Sequence, residues 1–241
     1  MSTATAPEYA ASRVSDRTYF LLRRLHSLTG LLFGGYLVVH LIVNATLIEG
    51  VRHAGQPDIY QQQVDKIHSL PFLTMVEWTF IYLPILYHTF YGIWITATGQ
   101  PNIDRYGYAK NWCYTLQRVS AIILIFFIAF HVLAMKGVFG QTLKFDPVGH
   151  ATDSAARHFN SAWWIWGLVY PIGILASCYH LANGFWTAGI TWGLTVSAHA
   201  IRRWGAICTL LFFLTFGCGM TALVALVRMG PQPAVATGVQ P

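Results

Sequence analysis

ILIFFIAFHVLAM, residues 123–135, is almost unbroken hydrocarbon with one imidazole, His131, set in its second half. Its flanks are apolar as well. The run from 117 to 138 therefore reaches the ~20 residues with which a helix crosses a hydrocarbon layer. Water is absent from such a layer, and an imidazole left there without a partner costs several kcal/mol. The stretch thus implies a membrane helix and a reason for one polar residue inside it.

The rest of the chain has the same character. Of 241 residues 55% are apolar and only 10% charged, against ~25% charged in soluble domains. Mean hydropathy is +0.48. Four further runs, roughly 25–47, 72–98, 162–187 and 204–227, are long enough to span. The expected fold is all-α, an integral membrane bundle of five transmembrane helices. Residues 1–24 form a cytoplasmic N-terminal segment, 25–229 the bundle and 230–241 a disordered tail. Pro84 and Pro171 fall inside two spans, upstream of His88 and His180. A bundle tolerates such kinks, and here they help to shape a cavity.

Charge and cysteine usage exclude other classes. The net charge of +6 does not indicate nucleic-acid binding, because the cations sit at the ends of apolar runs rather than in a patch with interleaved aromatics. Cys113, Cys178, Cys208 and Cys218 form no C-x-x-C pair and no C-x-x-C-H, so no covalent haem attachment is expected. They read as small buried hydrophobes. The first apolar run follows a polar segment carrying Arg13, Arg17, Arg23 and Arg24. It is too long for a cleaved signal and reads as a retained span.

Five spans put the termini on opposite sides. The N-terminus and the second and fourth loops carry nine Lys and Arg; the other side carries six. The positive-inside bias puts the N-terminus in the cytoplasm and the C-terminus outside a multi-pass protein of the cytoplasmic membrane.

Ten histidines occur. His26, His53, His68, His150, His158 and His199 lie near helix ends or in loops. His40, His88, His131 and His180 lie deep in the first four spans, one in each, and the fifth span has none. Depth pairs them. At ~1.5 Å per residue, His40 is ~24 Å beyond Arg24 and His131 is ~21 Å beyond Gln117, measured from the same face. His88 and His180 lie ~24 Å and ~27 Å from the opposite face. His40 therefore shares an outer level with His131, and His88 an inner level with His180. The two levels are roughly 15–20 Å apart along the membrane normal.

Two histidines from facing helices in a dry site suit the axial positions of a b-type haem. A single one would more often be an interhelical hydrogen bond, but four matched in depth favour two haems b. Zinc would need Cys or carboxylate ligands beside each pair. A haem-free proton-coupled transporter would put an acid in mid-membrane, where none of the spans has one. A macrocycle also needs small neighbours: Gly92 and Gly184 each follow a ligand by four residues and share its helix face. Ala134 stands near His131, and Gly34 or Gly35 near His40. The second ring nitrogen of each ligand is expected to bond a backbone carbonyl one turn earlier. Two haems at these levels form an electron wire to a lipid-soluble quinone.

The segments RRLHSLTGL (23–31), VVHLIVN (38–44), LPILYHTFYGIWI (83–95), NWCYTLQRVSAIILIFFIAFHV (111–132) and YHLANGFWTAGITWGLTVS (179–197) resemble the cytochrome b membrane-anchor subunit of succinate dehydrogenase, in its single-chain, five-helix, dihaem form. The likeness runs from Tyr19 to Ser197 with the four histidines in register, and the fifth span matches only in character. It implies that His40 and His131 hold the haem distal from an iron–sulfur subunit, and that His88 and His180 hold the proximal one. It implies two cytoplasmic partners, a flavoprotein that oxidises succinate and an iron–sulfur protein, docked on the cationic inner face. It also implies a quinone, menaquinone in preference to ubiquinone. Related quinol:fumarate reductases can carry a glutamate two residues before the fourth ligand. Here that residue is Cys178, which mildly favours succinate oxidation.

Arg23, Arg24, His26 and Ser27 at the inner edge of the first span, with Trp112 and Arg118 at the third, are candidates for holding haem propionates or for an inner quinone site. The alternative for the arginines is positive-inside anchoring. On the outer side Asp65, Lys66, His68 and Glu77 gather near the second span. His68 and Glu77, with Asp65, are the quinone-site candidates there, set against solvated anchoring. Trp163, Trp164, Trp166, Trp186 and Trp192 read as interfacial belts.

Overall fold

The computed structural model describes residues 16–52 and 58–230. Arg13, His53 and the expected disordered tail from residue 231 lie outside the described residues. The described chain is helical, with no strand. Five of its helical stretches are long and apolar enough to cross a membrane: Asp16–Glu49, Leu73–Thr98, Ala109–Met135, Ile165–Thr191 and Ala198–Met229.

The first stretch is α1 (Asp16–Ala45) with the short α2 (Leu47–Arg52) behind it. The second contains α4 (Leu73–Glu77), a π-helical turn (Trp78–Tyr82) and α5 (Leu83–Thr98). The third is α6 (Ala109–Met135). The fourth is a π-helical turn (Ile165–Val169) followed by α8 (Tyr170–Thr191), and the fifth is α9 (Ala198–Met229). Two short helices, α3 (Ile59–His68) and α7 (Ala151–Asn160), lie between the spans.

The helices overrun the apolar runs. α1 begins at Asp16 rather than at residue 25, α6 at Ala109 rather than 117, and α9 at Ala198 rather than 204. The overrun is physical. A helix continues to satisfy its own backbone beyond the hydrocarbon, and Arg, Lys and Tyr lay their stems along it while their heads reach water. Local chemistry marks where helices begin. Asp58 caps α3 by accepting from the Gln61 backbone N–H at 2.9 Å, and Ser197 caps α9 by accepting from that of Ala200 at 3.1 Å.

Both prolines stand at the second position of a helix, just past a π-helical turn. An interior proline lacks an N–H and clashes with the carbonyl four residues earlier. The wider π-turn shifts that carbonyl's pairing, so the span absorbs each proline without breaking.

The spans group in a way that positions the candidate site. α5 lies along α1, and α6 lies along α8, whereas contact between these two couples is sparse. α9 packs on both α1 and α8 and closes one side. A seam therefore runs between α1/α5 and α6/α8. At one end of the bundle α3, α7 and the end of α9 build the main core, with Leu47, Tyr60, Val64, Ala156, Phe159, Ile165, Tyr170 and Leu226 buried. Two amides fasten that end. Gln61 donates to Asp65 and to the Pro147 carbonyl, each at 2.8 Å, and accepts from the Ala151 backbone N–H at 2.6 Å. Asn160 donates to the Ala156 and Leu226 carbonyls at 2.9 and 2.8 Å, tying α7 to α9.

Candidate functional site

The four deep histidines meet in two couples, and each couple bridges the seam. His40 of α1 faces His131 of α6 with ring centroids 6.0 Å apart, and His88 of α5 faces His180 of α8 at 6.1 Å. A metal–imidazole bond of ~2.0 Å on each side of one ion separates two axial ring centroids by ~6 Å.

Three of the four rings are held by partners on another helix. His88 donates from Nδ1 to the His26 carbonyl at 3.0 Å. His180 Nδ1 lies 3.1 Å from the Ser120 hydroxyl, which itself donates to the Gln117 carbonyl at 3.0 Å, so the serine oxygen accepts from the histidine. His131 Nδ1 lies 2.9 Å from the Tyr170 hydroxyl. The expected bond to a carbonyl one turn earlier is therefore not the one these rings make. A partner across the interface fixes the ring against a second backbone. In each of the three, Nδ1 is engaged and Nε2 is left as the available donor atom.

Small residues at the seam divide differently from the sequence expectation. A Cβ on Gly30 would stand 2.6 Å from His88 Cε1, so this glycine, missed in the sequence, lets His88 lie directly against α1. Gly34 faces Leu181 and Phe185, and Gly35 faces open space. A Cβ on Gly92 would lie 3.3 Å from the His26 ring and one on Gly184 3.6 Å from Gln117 Nε2. Ala134 is fully buried.

At the His88/His180 end, His26 stacks on His88, with centroids 4.0 Å apart and planes 10° from parallel. Its Nδ1 is buried with no hydrogen-bond partner among the described residues, as is Nε of Arg118. The Arg118 guanidinium covers the Tyr114 ring at 3.5 Å and donates to the Tyr114 carbonyl at 3.1 Å. A cavity of about 290 Å³ opens beside it, lined by Lys110, Gln117 and Asn183 among others. Ser27 accepts from the Trp192 indole at 2.9 Å. Arg24 lies over Phe20 and Trp192, and Arg23 over Tyr19, each at 4.9 Å. Trp112 is exposed.

At the other end Glu77 is half-buried, and the Tyr36 ring lies 5.6 Å from that of His40. Asp65, Lys66 and His68 are exposed on α3. His158 of α7 is fully buried there, between the Leu143 carbonyl at 3.0 Å and the Tyr170 hydroxyl at 2.9 Å. Burial pushes its pKa below the ordinary 6.5, against the opposing pull of the bond to Leu143, and keeps the ring neutral. Sequence reading had left His158 with the loop histidines. The sign that could have singled it out is the apolar face of α7, on which it falls with Ala151, Ser154 and Ala155.

These features fit a flat macrocycle at each couple. Helix contact across the seam is sparse, the donor set of each couple is two imidazole nitrogens, and beside His88 and His180 the buried His26 Nδ1 and Arg118 Nε lack partners among the described residues. Among the described residues no group of three or more His, Cys, Asp or Glu forms a self-sufficient metal cage. Two nitrogens suit an iron whose other four ligands belong to a porphyrin.

A family model described as succinate dehydrogenase/fumarate reductase transmembrane subunit matches residues 100–219. Over 218 residues, 89% of this chain and all of the relative, the sequence is 32% identical to the succinate dehydrogenase cytochrome b558 subunit of Bacillus subtilis (strain 168).

Proposed function

This chain belongs to the succinate dehydrogenase/fumarate reductase transmembrane-subunit family, and from that premise we propose that it is the dihaem, quinone-reactive anchor of a succinate:quinone oxidoreductase. It is an all-helical, multi-pass protein of the cytoplasmic membrane and a membrane subunit of that oxidoreductase class. The observation that carries the finer reading is the pair of imidazole couples bridging one seam at 6.0 and 6.1 Å.

In this reading His40 and His131 hold the outer haem b, and His88 and His180 the inner one. When bound, each haem supplies reversible one-electron transfer. The chain's own part is to hold the ligand rings. The His26 carbonyl, Ser120 and Tyr170 keep Nδ1 of His88, His180 and His131 engaged, so that Nε2 of these three keeps its lone pair. His26 and Arg118, with buried unpartnered nitrogens, stand ready for anionic propionates at the inner end, and Arg23, Arg24, Ser27 and Trp112 line the same edge. Gly92 and Gly184 leave room along the ligand-bearing faces.

Electrons enter from an iron–sulfur subunit docked with its flavoprotein on the cytoplasmic face. They leave to a quinone, with menaquinone favoured. Glu77 is the strongest of the outer quinone residues, because it is half-buried in the second span, whereas Asp65 and His68 are exposed on α3. Cys178 is buried where fumarate-reducing relatives can carry a glutamate, which supports succinate oxidation as the direction.

The test is a reduced-minus-oxidised spectrum of the purified complex with haem quantified per chain. Two b-type haems per copy are expected. One haem, or none, would overturn the reading. Succinate-driven reduction of defined menaquinone and ubiquinone analogues, beside quinol-driven fumarate reduction, separates the two directions.

A further inference from the structure

We propose that Tyr170 and His158 form a positioning relay for His131, which sets the tautomer and donor strength of that ligand from a helix outside the membrane. The proposal rests on the ligand reading above and deepens it at one haem.

The proton assignments follow from one end. The Leu143 carbonyl can only accept, so His158 Nδ1, 3.0 Å away, carries the hydrogen. A neutral imidazole carries one, so His158 Nε2 is an acceptor. Its neighbour at 2.9 Å is the Tyr170 hydroxyl, which must donate its single proton there. The tyrosine oxygen then turns a lone pair toward His131 Nδ1 at 2.9 Å, and that nitrogen carries the hydrogen. His131 Nε2 is left with a lone pair. Every orientation is dictated by the one before it.

Packing holds the relay rigid. His158 is fully buried and Tyr170 is 4% exposed. The Tyr170 ring meets His131 and His158 edge to face, at 81° and 87°, and lies 4.1 Å from Phe159. The asymmetry is informative. The bonds of His88 and His180 end within α1 and α6, while that of His131 passes through two side chains to α7 and the turn before it. An acceptor on Nδ1–H raises the basicity of Nε2 and favours the oxidised metal. The relay therefore lets the α7 end adjust the potential of one haem without touching the other.

The test is potentiometric titration of both haems in the whole complex. Tyr170→Phe keeps the ring and removes the hydroxyl; the midpoint of the His131 haem should rise and that of the other haem should stay. Ser120→Ala should do the reverse. His158→Leu should shift the same midpoint upward, and His158→Gln, whose amide oxygen can still accept from Tyr170, should shift it less. This ordering is beyond the reach of a merely space-filling role. Unmoved midpoints in Tyr170→Phe and His158→Leu, with two haems retained, would overturn the relay. Should Tyr170→Phe fail to assemble, the two His158 variants decide alone. A wild-type complex without two b haems would instead sink the ligand assignment beneath it.

Discussion

The two ends of the bundle are built on different plans. At the His40/His131 end the chain closes over itself. α3 and α7 are pinned by Gln61 and Asn160, a buried core fills the space, and the supporting bonds run through buried side chains. At the His88/His180 end the described residues form no such lid. The two imidazole rings lean on a main-chain carbonyl and a serine, and polar nitrogens of His26 and Arg118 are buried without partners among the described residues. One end is closed by packed helices; the other, among the described residues, keeps polar nitrogens at its edge.

The largest effects should separate the ends completely. His131→Ala should remove one haem and His88→Ala the other, each leaving one haem per chain with its spectrum intact. Loss of both haems from either change would show that the ends are not independent. Glycine changes come next. A Cβ on Gly30 would meet His88 at 2.6 Å and one on Gly173 would run into the Phe127 ring, and Phe127 stacks on His131. Gly30→Val and Gly173→Val should each cost ~1–3 kcal/mol by overpacking. Each should lower haem occupancy only at its own end, read from thermal melting and haem content.

Smaller effects should belong to the closed end alone. Asn160→Ala removes the tie between α7 and α9 and should cost ~1 kcal/mol. It should speed hydrogen exchange in α7 and leave α5 unaffected. The smallest effect concerns pH. The folded-state pKa of His158 lies below its ordinary 6.5, so the unfolded chain binds more protons in the interval beneath that value. Stability from this buried neutral ring is full above pH 6.5 and declines as pH falls through the interval. Melting temperature measured across that range should show a slope that His158→Gln lacks.

The five spans were legible because hydrophobic length survives averaging along the chain. The pairing of His40 with His131 and of His88 with His180 was legible as a meeting of rings because depth is a matter of counting residues. What escaped depends on azimuth, the direction in which a residue points around its helix. Residue counts do not tell that His26 lies flat on His88, that Gly30 rather than Gly34 admits that ring, or that Ser120 and Tyr170 are the cross-helix partners. His158 escaped because α7 is short and amphipathic, and its buried face appears only once α3 and α9 are in position.

The π-helical turns before Pro84 and Pro171 carry a further consequence. A helix advances ~100° per residue, and a π-turn absorbs about one residue more than an α-turn. The second and fourth spans each contain one such turn at the same stage, upstream of their histidine. The aim of His88 and His180 is thus a matter of phase. The turn works like a half-step in a screw thread, and everything beyond it is rotated by a constant amount. Deleting one residue from 78–82 would restore the ordinary thread and swing His88 by ~100° about its axis, away from His180, with no atom of the couple itself changed.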